Sequence, residues 1–352
     1  MTRFASYLLL GLLCAPAHAV AVGTPEGDLD RWERVVDLRG SWQFALGDDD
    51  AWANTDYDDR DWDRMYVPAR WEDEGYPGYD GYAWYRTTFA LPRGSYRKLV
   101  FRAGRIDDAD EVYINGQFVG RTGGMPPHYK TAYHEWREYT IPMDYLKPGG
   151  ENVIAIRVFD ERIEGGILEG QVGIYDDRDA PLMEADLSGA WMFRTGAHPD
   201  WTGEKTRDME YVMVPGYWEG QGFRNLDGFA TYHRSVTIPR SLRGQDLVLS
   251  LGKIDDLDEV YLNGTLIGRT GQMQPYPNIR GDEWQVQRFY RIPEDAITYG
   301  GRNALTVVVF DGMVDGGMHE GLVGIVTQQE YERLRSEDDS VWDRIRRMFS
   351  KH

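Results

Sequence analysis

IDDADEVYINGQFVGRTGGM at 106–125 returns almost unchanged as IDDLDEVYLNGTLIGRTGQM at 254–273. Alternation dominates the middle of the phrase: on an extended strand Asp110, Val112 and Ile114 share one face, while Glu111 and Tyr113 share the other. The Asn-Gly pair that follows, at 115–116 and again at 263–264, suits the two-residue hairpin turn in which both central residues need positive φ. The phrase therefore predicts two strands joined by a tight turn. Asp107 and Asp108, like Asp255 and Asp256, fall just ahead of the first strand.

Outward from this phrase the repetition continues. DLRGSWQF (37–44) is matched by DLSGAWMF (186–193), VPARWEDEG (67–75) by VPGYWEGQG (214–222), and DGYAWYRTTFALP (80–92) by DGFATYHRSVTIP (227–239). FDERIEGGILEGQVGI (159–174) is matched by FDGMVDGGMHEGLVGI (310–325). Self-similarity on this scale marks the tandem duplication of one domain. Short apolar or alternating runs such as KLVFRAG (98–104), NVIAIRVFD (152–160), DLVLSLG (246–252) and NALTVVVFD (303–311) are bounded by turn residues and predict strands. Helical periodicity is absent until the C-terminus. The expected fold class is all-β: two tandem jelly-roll β-sandwich domains over 35–176 and 184–327, with a short helix in the tail 328–352.

Residues 1–19, MTRFASYLLLGLLCAPAHA, have the layout of a secretory signal peptide: an early Arg3, a short apolar run and a small-residue end. A periplasmic or secreted product is expected. The single cysteine, Cys14, lies inside that segment, so the mature chain is expected to have neither a disulfide framework nor thiol chemistry. A formal charge of −19 argues against a non-specific grip on nucleic acid, which needs Lys and Arg against phosphates. The tail departs from this acidity. VWDRIRRMFSKH (341–352) places Val341, Trp342, Ile345, Met348 and Phe349 on one helix face beside four basic residues. It reads as a helix docked on its own acidic domain, or as one that meets a partner enzyme or a membrane surface.

Four phrases in the same order in both copies, DLxGxWxF, VPxxWExxG…DGxAxY, IDDxDEVYxNGxxxG and a closing FD…GG, together resemble a known domain. It is the galactose-binding-like jelly roll that accompanies family 2 glycoside hydrolases such as β-galactosidases, and that also occurs in sialate O-acetylesterase-like enzymes. The resemblance covers essentially residues 35–326 and implies carbohydrate as the ligand. In those enzymes a separate catalytic domain flanks the jelly roll. The stretch 328–352 is too short for one, so a binding or accessory role is expected.

Sugar contacts are then expected around the repeated Trp-Glu segment, where aromatic faces can pack on a pyranose ring and fixed polar groups read its hydroxyls. The candidates are Trp71, Glu72, Tyr76, Tyr79 and Asp80 in the first copy, and Trp218, Glu219, Phe223 and Asp227 in the second. Tyr85 and Tyr232 are assigned to the core and Tyr76 and Tyr79 to the surface; Trp71 and Trp218 fit either place. The acidic phrase reads mainly as structural. Asp107, Asp108 and Asp110 with Arg121, and Asp255, Asp256 and Asp258 with Arg269, would fasten a loop through hydrogen bonds and ion pairs. No cofactor is expected. The alternative is calcium at Asp107, Asp108, Asp255 and Asp256, on the strength of their hard oxygen donors; the spacing of the helix-loop-helix calcium site is missing.

A glycosidase needs two carboxyl groups flanking the scissile bond. Glu72, Glu169, Glu219 and Glu320, with Asp160 and Asp311, are candidates because they are repeated beside Gly-rich loops, as structural carboxylates would also be. The serine-elbow, zinc-protease, P-loop and dinucleotide patterns are absent. His319 precedes Glu320 but stands opposite Leu168, so the repeat does not demand it. The leading expectation is an exported carbohydrate-binding protein or accessory module. The alternatives are a hydrolase, glycosidase or carbohydrate esterase-related, acting on O-glycosyl compounds, and a non-catalytic structural or sensory periplasmic protein.

Overall fold

The computed structural model describes residues 31–197, 209–223, 225–313 and 315–336. The signal-like segment 1–19 and the basic helix expected over 341–352 lie outside the described residues.

Strands β1 (Trp32–Asp37), β2 (Gly40–Leu46), β3 (Asp63–Val67), β4 (Ala69–Arg70), β5 (Gly81–Ala90) and β6 (Leu99–Asp107) open the first repeat. β7 (Ala109–Ile114), β8 (Gln117–Thr122), β9 (Trp136–Thr140), β10 (Glu151–Asp160), β11 (Gly166–Glu169) and β12 (Gly173–Asp177) complete it. One sheet runs β3-β2-β5-β10-β7-β8, and the facing one runs β1-β12-β6-β11-β4 with β9 on β6.

The second repeat begins with β13 (Ala185–Asp186), β14 (Gly189–Thr195), β15 (Glu210–Val214), β16 (Gly228–Thr237) and β17 (Leu247–Asp255). It ends with β18 (Leu257–Leu262), β19 (Thr265–Thr270), β20 (Gln287–Ile292), β21 (Arg302–Asp311) and β22 (Gly317–Thr327). Its sheet β15-β14-β16-β21-β18-β19 reproduces the first repeat's strand for strand, opposite β13-β22-β17-β20. The chain is thus all-β in sandwich-like sheets, with a helix over 328–336 after the last strand. Among the described residues no helix is long and apolar enough to cross a membrane.

The acidic phrase marks the corner where the chain changes sheet: β6 ends at Asp107 in one layer, and β7 begins at Ala109 in the other. Along β7 the side chains alternate as expected, with Asp110, Val112 and Ile114 buried and Glu111 and Tyr113 half-buried. The turns adopt the anticipated geometry, with φ of 49° and 77° at Asn115 and Gly116 and of 51° and 81° at Asn263 and Gly264. Asparagine also serves here as a clamp. The Asn115 amide donates to Tyr145 O (2.7 Å) and Asn152 Oδ1 (2.9 Å), and Asn263 makes the same pair to Ala296 O (2.9 Å) and Asn303 Oδ1 (2.8 Å).

Aromatic side chains fill both cores. Trp42, Phe44, Trp71 and Tyr85 in the first repeat correspond to Trp191, Phe193, Trp218 and Tyr232 in the second. Phe44 meets Tyr85, and Phe193 meets Tyr232, edge to face at 4.9 Å, the arrangement that ring quadrupoles favour. Strands β6 and β11 approach so closely at Gly104 (φ 73°) that a Cβ there would overlap the Glu169 carbonyl oxygen. Gly104→Ala is therefore expected to cost about 1–3 kcal/mol from overpacking, with an added penalty for a left-handed backbone. The check is the urea midpoint. Gly252, which meets Glu320 O in the same way, should behave alike.

Candidate functional site

Each corner is fastened from within by an arginine that the repeated phrase does not contain. Asp110, buried on β7, accepts from Arg137 Nε at 2.7 Å and from the Tyr139 hydroxyl. Arg137 comes from β9 in the opposite layer and donates further to the carbonyls of Ala132 (2.5 Å), Glu135 (2.6 Å) and Asp108 (3.0 Å). Arg288 repeats this set, pairing with Asp258 at 2.8 Å and donating to Asp256 O at 2.6 Å and to the Glu283 and Val286 carbonyls. Both ion pairs are wholly buried and tie one sheet to the other.

The partners expected for these acids were Arg121 and Arg269, and that expectation is corrected. Arg121 lies across the hairpin from Glu111 and reaches out of its own repeat, donating to Tyr211 O (3.1 Å) and Gln221 O (3.2 Å). It joins a contact between the repeats in which Phe118 packs on Tyr211 at 4.8 Å. Arg269 is exposed. Strand alternation explains the difference: a residue opposite Glu111 shares its outward face rather than that of Asp110.

The remaining carboxylates have no cationic partner among the described residues. Asp107, Asp108 and Asp160 each bring one oxygen to within 4.8 Å of the others, and Asp255, Asp256 and Asp311 repeat the group. Asp160, the last residue of β10, arrives through strand pairing, since Phe159 O receives the Asp108 N–H at 3.0 Å. Asp108 is held by the hydroxyls of Tyr129 (2.6 Å) and Thr131 and by the Glu161 N–H (3.0 Å). Burial opposes its charge, but these donors keep it below the usual carboxylate range. Asp160 Oδ1 takes the Arg162 N–H at 3.1 Å, while Oδ2 is buried without a protein partner. Burial, then the hydrogen bond and charge of Asp108, push Asp107 up to about 8. Burial and the charges of Asp108, Asp80 and Glu72 outweigh the Arg162 N–H and push Asp160 up to about 7.

The second corner carries the same strain of charge with fewer donors. Burial first, then neighbouring carboxylates, push Asp255 up to about 8 and Asp311 to about 6. Asp256 accepts the Gly312 N–H at 3.1 Å. Pro277 and Ile279 occupy the sequence positions of Tyr129 and Thr131 and supply no hydroxyl. Two like charges 4 Å apart at an effective dielectric of 20 repel by about 4 kcal/mol, so such a triad holds a proton or a cation.

Around the Trp-Glu segment the structure separates the expected ligand residues. Trp71 and Trp218 are fully buried, which corrects their place as sugar contacts. The Trp71 indole donates to the Tyr85 hydroxyl at 2.6 Å, and Gly165 closes over its ring so tightly that a Cβ would overlap it; Gly316 covers Trp218 in the same way. Tyr76 and Tyr79, expected at the surface, are half-buried. Tyr76 packs on Phe44 at 5.0 Å and donates to Asp63 at 2.6 Å, and Tyr79 lies 5.6 Å from Trp71 and donates to Tyr82 O at 2.7 Å. Phe223 packs on Phe193 at 4.6 Å.

The acids of the segment behave differently from its aromatics. Both carboxylate oxygens of Glu72 are buried without a protein partner, and Glu219 has one such oxygen, its other accepting the Gly316 N–H at 3.0 Å. Asp80 and Asp227 are exposed, and their charges act on Asp160 and Asp311. Glu169 and Glu320 are not members of the triads. They pair with Arg105 and with Lys253 (2.8 Å), and the lysine holds Glu320 below its usual range.

An aromatic patch that the sequence reading did not single out borders the second corner. The Tyr217 and His319 rings stack at 4.7 Å, only 4° from parallel, and His319 Nε2 lies 3.4 Å from Trp284 O. Tyr217 is 40% exposed and Trp284 41%. Burial holds the His319 imidazole below its usual value, which favours the uncharged ring. Burial and the charges of Asp255, Asp315 and Glu320 raise the Tyr217 phenol, and strand register sets Lys253 opposite Glu320 and Asp255 opposite Gly317, on either side of His319. In the first repeat Arg70 and Leu168 hold the two positions, and Arg70 pairs with Glu164 at 2.9 Å. Flat apolar faces rimmed by carboxylates and Lys253 suit a polyhydroxylated ring.

Residues 47–162 match the family model of the β-galactosidase second all-β domain. Over 155 residues the chain is 31% identical to a β-galactosidase of Bacteroides ovatus, an alignment covering 40% of this chain and 17% of that enzyme. Among solved structures, a Bacteroides uniformis β-glucuronidase is 17% identical with a TM-score of 0.34, over 82% of this chain and 28% of its own. A β-glucuronidase of Ruminococcus gnavus is 14% identical with a TM-score of 0.34, over 85% of this chain and 43% of its own. The chain spans less than half the length of each of these relatives.

Proposed function

We propose, from a first repeat that is a family 2 glycoside hydrolase-type all-β domain, that this chain recognises carbohydrate and that its second repeat supplies the principal site. The observation that carries this reading is the Tyr217–His319 stack beside Asp255, Glu320 and Lys253. A pyranose ring can lie with its C–H face on the stack while its hydroxyls meet the carboxylates and the ammonium. The segment 1–19 supports placing this activity in the periplasm or medium.

A glycan array followed by calorimetry on the best ligand tests the proposal. Tyr217→Ala and His319→Ala are each expected to weaken binding at least about tenfold, roughly 1.4 kcal/mol, with an unchanged melting temperature. Retention of no glycan, or binding indifferent to both substitutions, would refute it. Aryl-glycoside turnover that disappears in Glu72→Gln or Glu219→Gln would establish the hydrolase instead.

A further inference from the structure

We propose that each sheet-changing corner is a binding site for a divalent cation of the calcium class, held by Asp255, Asp256 and Asp311 in the second repeat and by Asp107, Asp108 and Asp160 in the first. This inference does not depend on carbohydrate recognition. Three carboxylates converge at each corner with one oxygen apiece within 4.8 Å. Convergence alone would not make a site; the decisive feature is an orphaned acceptor. Asp311 is 0% exposed, its Oδ1 takes the Met313 N–H at 3.1 Å, and its Oδ2 has no partner among the described residues. Asp160 shows the same division between its two oxygens. Buried oxygens without a donor are rare in native proteins and call for a missing ligand.

The neighbouring groups supply more acceptors and no counter-charge. Glu219 and Glu72 each present buried, unpartnered oxygen beside the triads, and the nearby guanidinium groups of Arg288 and Arg137 are engaged by Asp258 and Asp110. A purely structural loop would be expected to keep its hydrogen-bond donors through duplication. Here the acids are retained in both copies, whereas Tyr129 and Thr131 are replaced by Pro277 and Ile279. The oxygen-only donor set, with neither thiolate nor imidazole, selects a hard cation; calcium takes six to eight oxygens in flexible geometry, and water can complete its shell. The second corner should bind more tightly, because hydroxyl donors already occupy Asp108 in the first.

The full chain, stripped with EDTA, is titrated with CaCl2 and separately with MgCl2 by calorimetry, with thermal melting as a second readout. Calcium is expected to bind two sites, to raise the melting temperature, and to exceed magnesium in affinity at least tenfold. Asp311→Asn should abolish the tighter site, Asp160→Asn the weaker, and the double variant both. Asn keeps an oxygen for the Met313 or Arg162 N–H, and circular dichroism of the metal-free variants confirms the fold. No calcium uptake at millimolar concentration, uptake undiminished in the double variant, or magnesium bound as tightly as calcium would overturn the proposal.

Discussion

Replacing Arg137 by alanine is expected to destabilise the first repeat by about 3–5 kcal/mol, the range for removing one partner of a buried ion pair. The side chain is at the centre of four interactions, one with the Asp110 carboxylate and three with the carbonyls of Ala132, Glu135 and Asp108. Its loss leaves Asp110 buried without its counter-charge, beside Tyr139 alone, and three carbonyls without their donor. Lysine should restore little, because one ammonium cannot reproduce a planar fork that spans two sheets. Urea unfolding followed by tryptophan fluorescence gives the midpoint. A double replacement, Arg137→Met with Asp110→Leu, should recover much of the loss, since it removes the stranded charge along with its partner. A loss below about 1 kcal/mol in the single variant would place the pair among weak surface-like bridges. Arg288 and Asp258 should give the same pattern in the second repeat.

The fold was legible where the physics is local. Alternation along DEVY and the positive-φ demand of Asn-Gly specified strand, turn and facing, and duplication doubled the signal. The site was not local, and it was only partly legible. Asp160 and Asp311 are recognisable as repeated acids, but their place at the corners depends on the pairing of β10 with β7 and of β21 with β18. Arg137 and Arg288 were hidden by register. HEWR in one copy faces DEWQVQR in the other, and only the shared Arg-x-Tyr on β9 and β20 would have revealed them. Tyr217 and His319 escaped for the opposite reason: comparison between copies rewards sameness, and these positions differ from Arg70 and Leu168. The two copies agree in their corner acids and differ at the surface.

Trp71→Ala should be almost as costly as the loss of Arg137, at about 3–5 kcal/mol for truncating a buried tryptophan, and it should reveal nothing direct about ligand contact. A Trp in a loop of Gly, Tyr and Asp reads naturally as a sugar platform. Gly165 decides otherwise, because the absence of a Cβ lets the 161–165 loop close on the indole and shut out solvent. The ring packs on Phe44 at 6.0 Å and Tyr79 at 5.6 Å, and its N–H is satisfied by Tyr85. Truncation therefore opens a cavity and leaves the Tyr85 hydroxyl without its donor, both of which lower the unfolding midpoint. Any fall in glycan affinity in Trp71→Ala should track that loss of folded protein, whereas Tyr217→Ala should lose affinity at constant stability. Melting and binding measured on both variants separate the two causes. A Trp71 variant that melts like the parent yet fails to bind would return the indole to the ligand site and require the loop to open in solution.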